Sequence, residues 1–236
     1  MGDALGADIE FNSLAEIRQR FGHAGLQDLV EHDGRTGAIT DDTQMTLFTA
    51  EAFLAFRRRA ESYGAAVFAP ALYYSYQRWM ATQGEQPVAG KRAVELRGLL
   101  LDSQDLHHRR GPGNTCLTAL RSGIFGTVDR PINNSKGCGG VMRVAPLAEW
   151  DGLRFGEAAA AITHGHPTGQ LAAGALVVIL HAIGAGATLN EAIDIALAEL
   201  AERPSHEETS HALIGARTLA AAATRTSPEA IEKLGE

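Results

Sequence analysis

Cysteine, aromatic side chains and positive charge are all scarce in this chain, and each shortage closes off a class of protein. Two cysteines, Cys116 and Cys138, cannot build a disulfide framework and suit a reducing, cytoplasmic setting. Aromatics make up 6% of the 236 residues against 45% hydrophobic residues overall, a mix rich in Ala and Leu that favours close helix packing over a β-sandwich. A net charge of −7 leaves no basic face for coating nucleic acid. The one compact basic run, Arg57-Arg58-Arg59, falls at a predicted helix end, where cations suit the dipole. No signal-peptide pattern is visible, and no membrane segment is expected. The longest apolar run, Leu171 to Ile183, is interrupted by Gly174 and His181, is too short to span a bilayer and reads as a buried core helix. Alternating β-branched runs, repeats and Pro/Ser-rich linkers are lacking too.

What remains is helical pattern. Helices are predicted over Leu14–Phe21, Thr43–Arg59, Ala65–Ala81, Arg92–Leu101, Asn114–Gly123, Gly156–Ile162, Thr168–Ile183, Leu189–Leu200 and His206–Ala223. Two connections are longer, Asp102–Gly113 and Thr127–Gly140, and both are polar or Gly-rich, as functional loops are. The expectation is a single all-α domain over residues 1–236. Both ends read as cut. The chain opens directly in Gly2-Asp3-Ala4-Leu5-Gly6, and Ser227-Pro228-Glu229 starts a helix with room for barely two turns.

Chemistry concentrates in a few motifs. Ala38 to Leu47 reads A-I-T-D-D-T-Q-M-T-L, and Met45, Phe48, Ala52, Phe53 and Phe56 then keep the spacing of a buried helix face. Thr40, Asp41, Asp42 and Thr43 therefore fall at a helix start. Their clustered hard oxygens suit Mg²⁺ or Mn²⁺, and they equally suit caps and first-turn acids. Gly2 to Phe11 combines small residues, which let another backbone approach, with Glu10, a carboxylate able to act as general base or metal ligand. Asn133-Asn134-Ser135-Lys136-Gly137-Cys138-Gly139-Gly140 describes an anion cradle whose amides can reach a phosphate, or else an ordinary flexible turn. It is not a Walker loop, since no Lys-Ser/Thr pair follows the glycines, and nothing marks Cys138 as a nucleophile. Gly111-Pro112-Gly113-Asn114-Thr115 is a tight turn into a helix, with Asn114 as its expected N-cap. In Thr163-His164-Gly165-His166-Pro167 two histidines lack a partner set for closed zinc, so hydrogen bonding to a nucleotide, or a plain loop, describes them better.

Taken in order, G-D-A-L-G-x-x-x-E-F, I-T-D-D-T-Q-M, G-P-G-N-T, S-K-G-C-G-G-V-M-R-V-A-P and T-H-G-H-P resemble the ADP-ribosylglycohydrolase family, which includes the dinitrogenase reductase-activating glycohydrolase. The resemblance runs from Gly2 to at least Leu180. It implies an all-α, mainly orthogonal helix bundle with a dinuclear Mg²⁺ or Mn²⁺ centre in a cleft. Thr40, Asp41 and Asp42 would be metal ligands, and Glu10, with Asp41, the catalytic carboxylates. Ser135, Lys136, Gly137, Cys138, Gly139 and Gly140 would hold the diphosphate of ADP-ribose, and His164 the nucleoside side. The implied substrate is an ADP-ribosylated protein or a small ADP-ribose conjugate. One departure matters: family members carry a second metal motif, Gly-Asp-x-Asp-Ser/Thr, near the C-terminus, and here no aspartate follows Asp194. The expectation is a domain lacking the start of its first helix and its C-terminal metal segment, weakly active or inactive. The competing readings are a non-catalytic ADP-ribose-binding pseudoenzyme and a structural or interaction protein on the same scaffold.

Overall fold

The spacing read along Met45, Phe48, Ala52 and Phe53 becomes the buried face of a 23-residue helix, α3 (Asp41–Tyr63). The computed structural model describes residues 1–63, 68–88, 98–222, 227–232 and 234. Before α3 come α1 (Gly2–Gly6), α2 (Leu14–Phe21) and a two-strand hairpin, β1 (Glu31–His32) and β2 (Arg35–Thr36). After it come α4 (Phe68–Thr82), α5 (Asn114–Arg121), α6 (Leu153–Ala161), α7 (Pro167–Gly184), α8 (Leu189–Ala201), α9 (Glu207–Ala222) and α10 (Pro228–Glu232). The expected all-α fold is what the chain adopts, with 60% of the described residues helical.

Two apolar clusters hold these helices together. In the first, Met45 and Phe48 of α3 meet Leu72, Tyr76, Trp79 and Met80 of α4 and Leu117 and Leu120 of α5. Each such side chain is fully buried, and burial of this kind stabilises by roughly 2 kcal/mol per side chain. Trp150 joins the cluster by edge contacts to Phe53, Phe56 and Phe68, with ring centroids 4.6, 5.2 and 4.8 Å away. In the second, α7 is flanked by Leu153 of α6 and by Ala192, Ala196 and Leu200 of α8. Here the small residues do the packing. A Cβ on Gly156 would lie 2.4 Å from the Ala173 carbonyl oxygen, and one on Gly174 would lie 2.8 Å from that of Leu153. The backbones of α6 and α7 are therefore in contact, a separation only glycine permits. By length and composition the 18-residue α7 is apolar enough to cross a membrane, contrary to the shorter span read from the sequence, but half of it is buried in this helix layer.

Local signals explain most element boundaries. Ser13 and Glu16 form a capping box on α2, and Thr188 and Glu191 form another on α8. Ser227 Oγ accepts the Ala230 amide at the start of α10. Some expectations shift. Helix α3 begins two residues before Thr43, and α6 begins three before Gly156. The cap of α5 is Gly113, not Asn114, which is already the first helical residue. Of the helix predicted at Arg92–Leu101, residues 92–97 lie outside the described ones and Gly98–Leu101 form a turn. The hairpin was not foreseen, although Asp33-Gly34, both at positive φ, is the dipeptide that two-residue hairpin turns favour.

Candidate active site

The start of α3 is capped by a residue from another helix. Asp3 of α1 accepts the amides of Thr40 (3.0 and 3.1 Å) and Thr43 (3.1 Å) and both threonine hydroxyls, that of Thr40 at 2.7 Å. The Thr40 hydroxyl, its proton given to Asp3, accepts the Asp42 amide at 3.3 Å. With the orphan amides of the first turn met this way, the carboxylates of Asp41 and Asp42 are free to face the cleft described below. Asp3 was passed over in the sequence, where only Glu10 of that string was singled out. The readable signal was an acid between glycines ahead of a helix-start motif.

The loop before α5 is fastened to the same point. Buried Gln44 donates to the carbonyls of Leu106 and His108, at 3.2 and 3.1 Å, and accepts from Trp79 and Gln83. The Asp41 amide donates to the Arg110 carbonyl at 2.9 Å, and the Gly113 amide donates to Asp41 Oδ2 at 3.2 Å. On the far side, Asn133 ties the glycine-rich segment to the turn before α7. Its Nδ2 donates to the Thr163 carbonyl (2.8 Å), and its Oδ1 accepts the amides of Ser135 and Gly165, each at 3.0 Å.

These attachments enclose a cleft of about 200 Å³. Glu10, Asp41, Asp42, Gly137, Cys138, Gly139 and His164 line it, with Phe11, Gly111, Gly113, Asn114, Thr115, Cys116 and Met142 completing the wall. A second cavity of about 340 Å³ shares Glu10 and Asp42 and adds Asp3, Thr40 and the small residues of α1. The other predicted site residues lie elsewhere. Ser135 hydrogen-bonds Thr115 Oγ1, and Lys136 pairs with Glu208 at the surface. Gly140 is buried, where a Cβ would lie 3.0 Å from that of Ala160. His166 caps α7, its Nδ1 accepting the Thr168 amide, so the two histidines do not act together.

Charge in the cleft is one-sided. Its lining carries three carboxylates and neither Lys nor Arg. Burial, then the charges of Asp42 and Glu10, pushes Asp41 up to about 7 despite the Gly113 hydrogen bond. Asp42 is raised by burial and by Asp3, and Glu10 by burial and by Asp42 and Asp3. The Cys138 thiol is raised by burial and by the same acids, which makes it a poor nucleophile. His164 is pushed down to about 3 by burial and by Arg143. An environment this costly for anions favours a bound cation. Yet among the described residues no group of three or more His, Cys, Asp or Glu side chains is gathered to hold a metal ion.

Arg143 and Thr163 were missed as site residues, because a basic side chain at a fully buried position leaves no mark in the sequence. Comparison with curated proteins gave no match. The family model for ADP-ribosylglycohydrolase matches residues 1–236, the whole of the sequence. With three acids and a glycine turn facing one cleft of an all-α fold, this chain belongs to the ADP-ribosylglycohydrolase family.

Proposed function

We propose that the cleft hydrolyses the glycosidic bond joining ADP-ribose to a protein side chain or a small molecule, with Mg²⁺ or Mn²⁺ as cofactor and a cytoplasmic setting. The observation that carries this reading is the convergence of Glu10, Asp41 and Asp42 beside Gly137–Gly139, with no basic side chain in the lining. Cleavage at an anomeric carbon develops positive charge on the sugar, and fixed negative charge beneath it lowers that barrier. Glu10 is raised by burial and by its acidic neighbours and is the most open of the three acids, so it is the one suited to orient a water and take its proton. The glycine turn offers backbone without side chains for a diphosphate to approach. Ligand pockets commonly hold roughly 300–1,000 Å³. A cleft of about 200 Å³ therefore encloses only part of such a ligand.

The donor set fits a hard divalent ion in kind. Thr40 has given its proton to Asp3 and keeps a lone pair beyond the one taken by Asp42, and Asp41 and Asp42 add carboxylate oxygens. Thr40, Asp41 and Asp42 would hold such an ion, which would supply positive charge for binding ribose hydroxyls and acidifying water. With no complete ligand group among the described residues, affinity is expected to be weak and turnover by residues 1–236 low. Calorimetry with ADP-ribose tests the reading. Binding that requires Mg²⁺ or Mn²⁺ and is lost in Asp41→Asn supports it. Binding indifferent to metal and to that substitution favours the non-catalytic, ADP-ribose-binding alternative, to which the incomplete ligand group also points. No binding under either condition refutes both.

A further inference from the structure

Arg143 is fully buried, and no carboxylate among the described residues pairs with it. Burying an unpaired cation costs several kcal/mol, so a packing role alone, open to any neutral side chain, does not account for it. Its contacts are specific. The guanidinium lies 4.3 Å over the Tyr76 ring. Nη2 donates to the Ala159 carbonyl (2.9 Å) and to Thr163 Oγ1 (2.8 Å), while Nη1 faces Cys116 Sγ at 3.6 Å and Met45 Sδ at 3.8 Å. Thr163 Oγ1 in turn lies 2.8 Å from His164 Nδ1.

Proton bookkeeping along this chain leaves one arrangement. A guanidinium only donates, so the Thr163 oxygen must accept from it, and its single proton remains to be placed. Cys116 Sγ is a weak acceptor and already faces Nη1, whereas an imidazole nitrogen is a strong one. The hydroxyl proton therefore goes to His164 Nδ1. A cation on the Nδ1 side also favours a lone pair there over an N–H. We propose that Arg143 and Thr163 are positioning residues that hold His164 as the neutral Nε2–H tautomer, a hydrogen-bond donor aimed at the glycine turn and matched to an acceptor oxygen of a phosphate or ribose. Nε2 has no protein partner among the described residues, and His164 is 1% exposed. It lines the cleft beside Gly137, Cys138 and Gly139. A Cβ on Gly139 would lie 3.2 Å from Nε2 and 2.9 Å from Cε1, so only glycine fits against this edge of the ring. The downward push on His164 by burial and Arg143 keeps the ring uncharged across the physiological range. An ammonium, which can only donate, meets a donor at this position and is refused.

The relay rests on the cleft being a ligand site, and its test separates the two claims. Long-range ¹H–¹⁵N NMR of the full chain, with His164 assigned through a His164→Gln variant, reads the tautomer without any ligand. The expected result is a bare Nδ1 and a protonated Nε2 from about pH 5 to 8. Thr163→Val is expected to give a mixed tautomer and to weaken ADP-ribose by about 10-fold in calorimetry, whereas Thr163→Ser keeps both within about 2-fold. An Nδ1–H or doubly protonated ring in the unmodified chain overturns the relay, and this reading stands even where Thr163→Val fails to fold. Equal affinity of the Val variant and the unmodified chain overturns its part in recognition. Absence of ADP-ribose binding by the unmodified chain refutes the hydrolase and ADP-ribose-binding readings and leaves the tautomer, which has been read separately, untouched.

Discussion

Replacing Asp41 with asparagine is expected to stabilise the metal-free protein at alkaline pH. The carboxylate is 3% exposed and is pushed from its ordinary value near 3.8 to about 7, chiefly by burial. A folded value above the unfolded one means the folded state holds its proton more tightly. That stabilisation is complete below about pH 4 and is lost as pH rises through about 7, so by pH 8 the ionised group weakens the fold. A shift of about three pH units corresponds to a ceiling of about 4 kcal/mol. Mutual coupling with Asp42 and Glu10 and effective screening in a polar cleft bring the expected value to about 2 kcal/mol. For a protein of this size that is roughly 4–8 °C in Tm. Asparagine fits the site, because its carbonyl oxygen can still accept the Gly113 amide and its NH₂ donates toward the neighbouring acids. The assay is thermal unfolding in chelator across pH 4 to 8, reading Asp41→Asn against the unmodified chain. The gap should open as pH rises, and added Mg²⁺ or Mn²⁺ should close it by stabilising only the unmodified chain. A gap independent of pH, or a variant less stable at pH 8, would refute the reasoning.

Asp3→Ala removes the group that caps α3 and leaves two amides and two hydroxyls unmet, so a loss of about 2 kcal/mol in chemical denaturation is expected; an unchanged midpoint would dismiss the cap. Lys136→Ala breaks only an exposed pair with Glu208, so stability should change by less than about 1 kcal/mol and ADP-ribose affinity should hold; a loss beyond about 10-fold would return Lys136 to the cradle. Glu10→Gln should leave Tm nearly unchanged while lowering any measurable ADP-ribose release by at least about 100-fold, as loss of a general base does; undiminished release would assign the water to another group.

Why some of this was legible and some was not follows from the range of the interactions. The buried face of α3 repeats every three or four residues, so Met45, Phe48, Ala52 and Phe53 announced themselves, as did the capping boxes at Ser13 and Thr188. Helix α1 did not, because five residues with two glycines have no propensity of their own, and its place is fixed through Asp3 by partners 37 and 40 residues away. The hairpin strands are two residues long, too short for alternation to register.

The glycine-rich segment shows a different limit. Residue types named a cradle from Ser135 to Gly140, but composition says nothing of direction. Only Gly137, Cys138 and Gly139 face the cleft, because Asn133 anchors the strand of loop before them and Gly140 is drawn under α6. Arg143 is the sharper case. As a basic residue in sequence it belongs on the surface, and its burial is tolerable only because Met45, Tyr76, Cys116 and the Ala159–Thr163 segment converge on it from α3, α4, α5 and the end of α6 with its following turn. A residue whose environment is assembled from four separate stretches of chain has no local signature. Sequence motifs thus locate the acids that line the cleft, while the buried groups that hydrogen-bond behind its wall emerge only once those stretches meet.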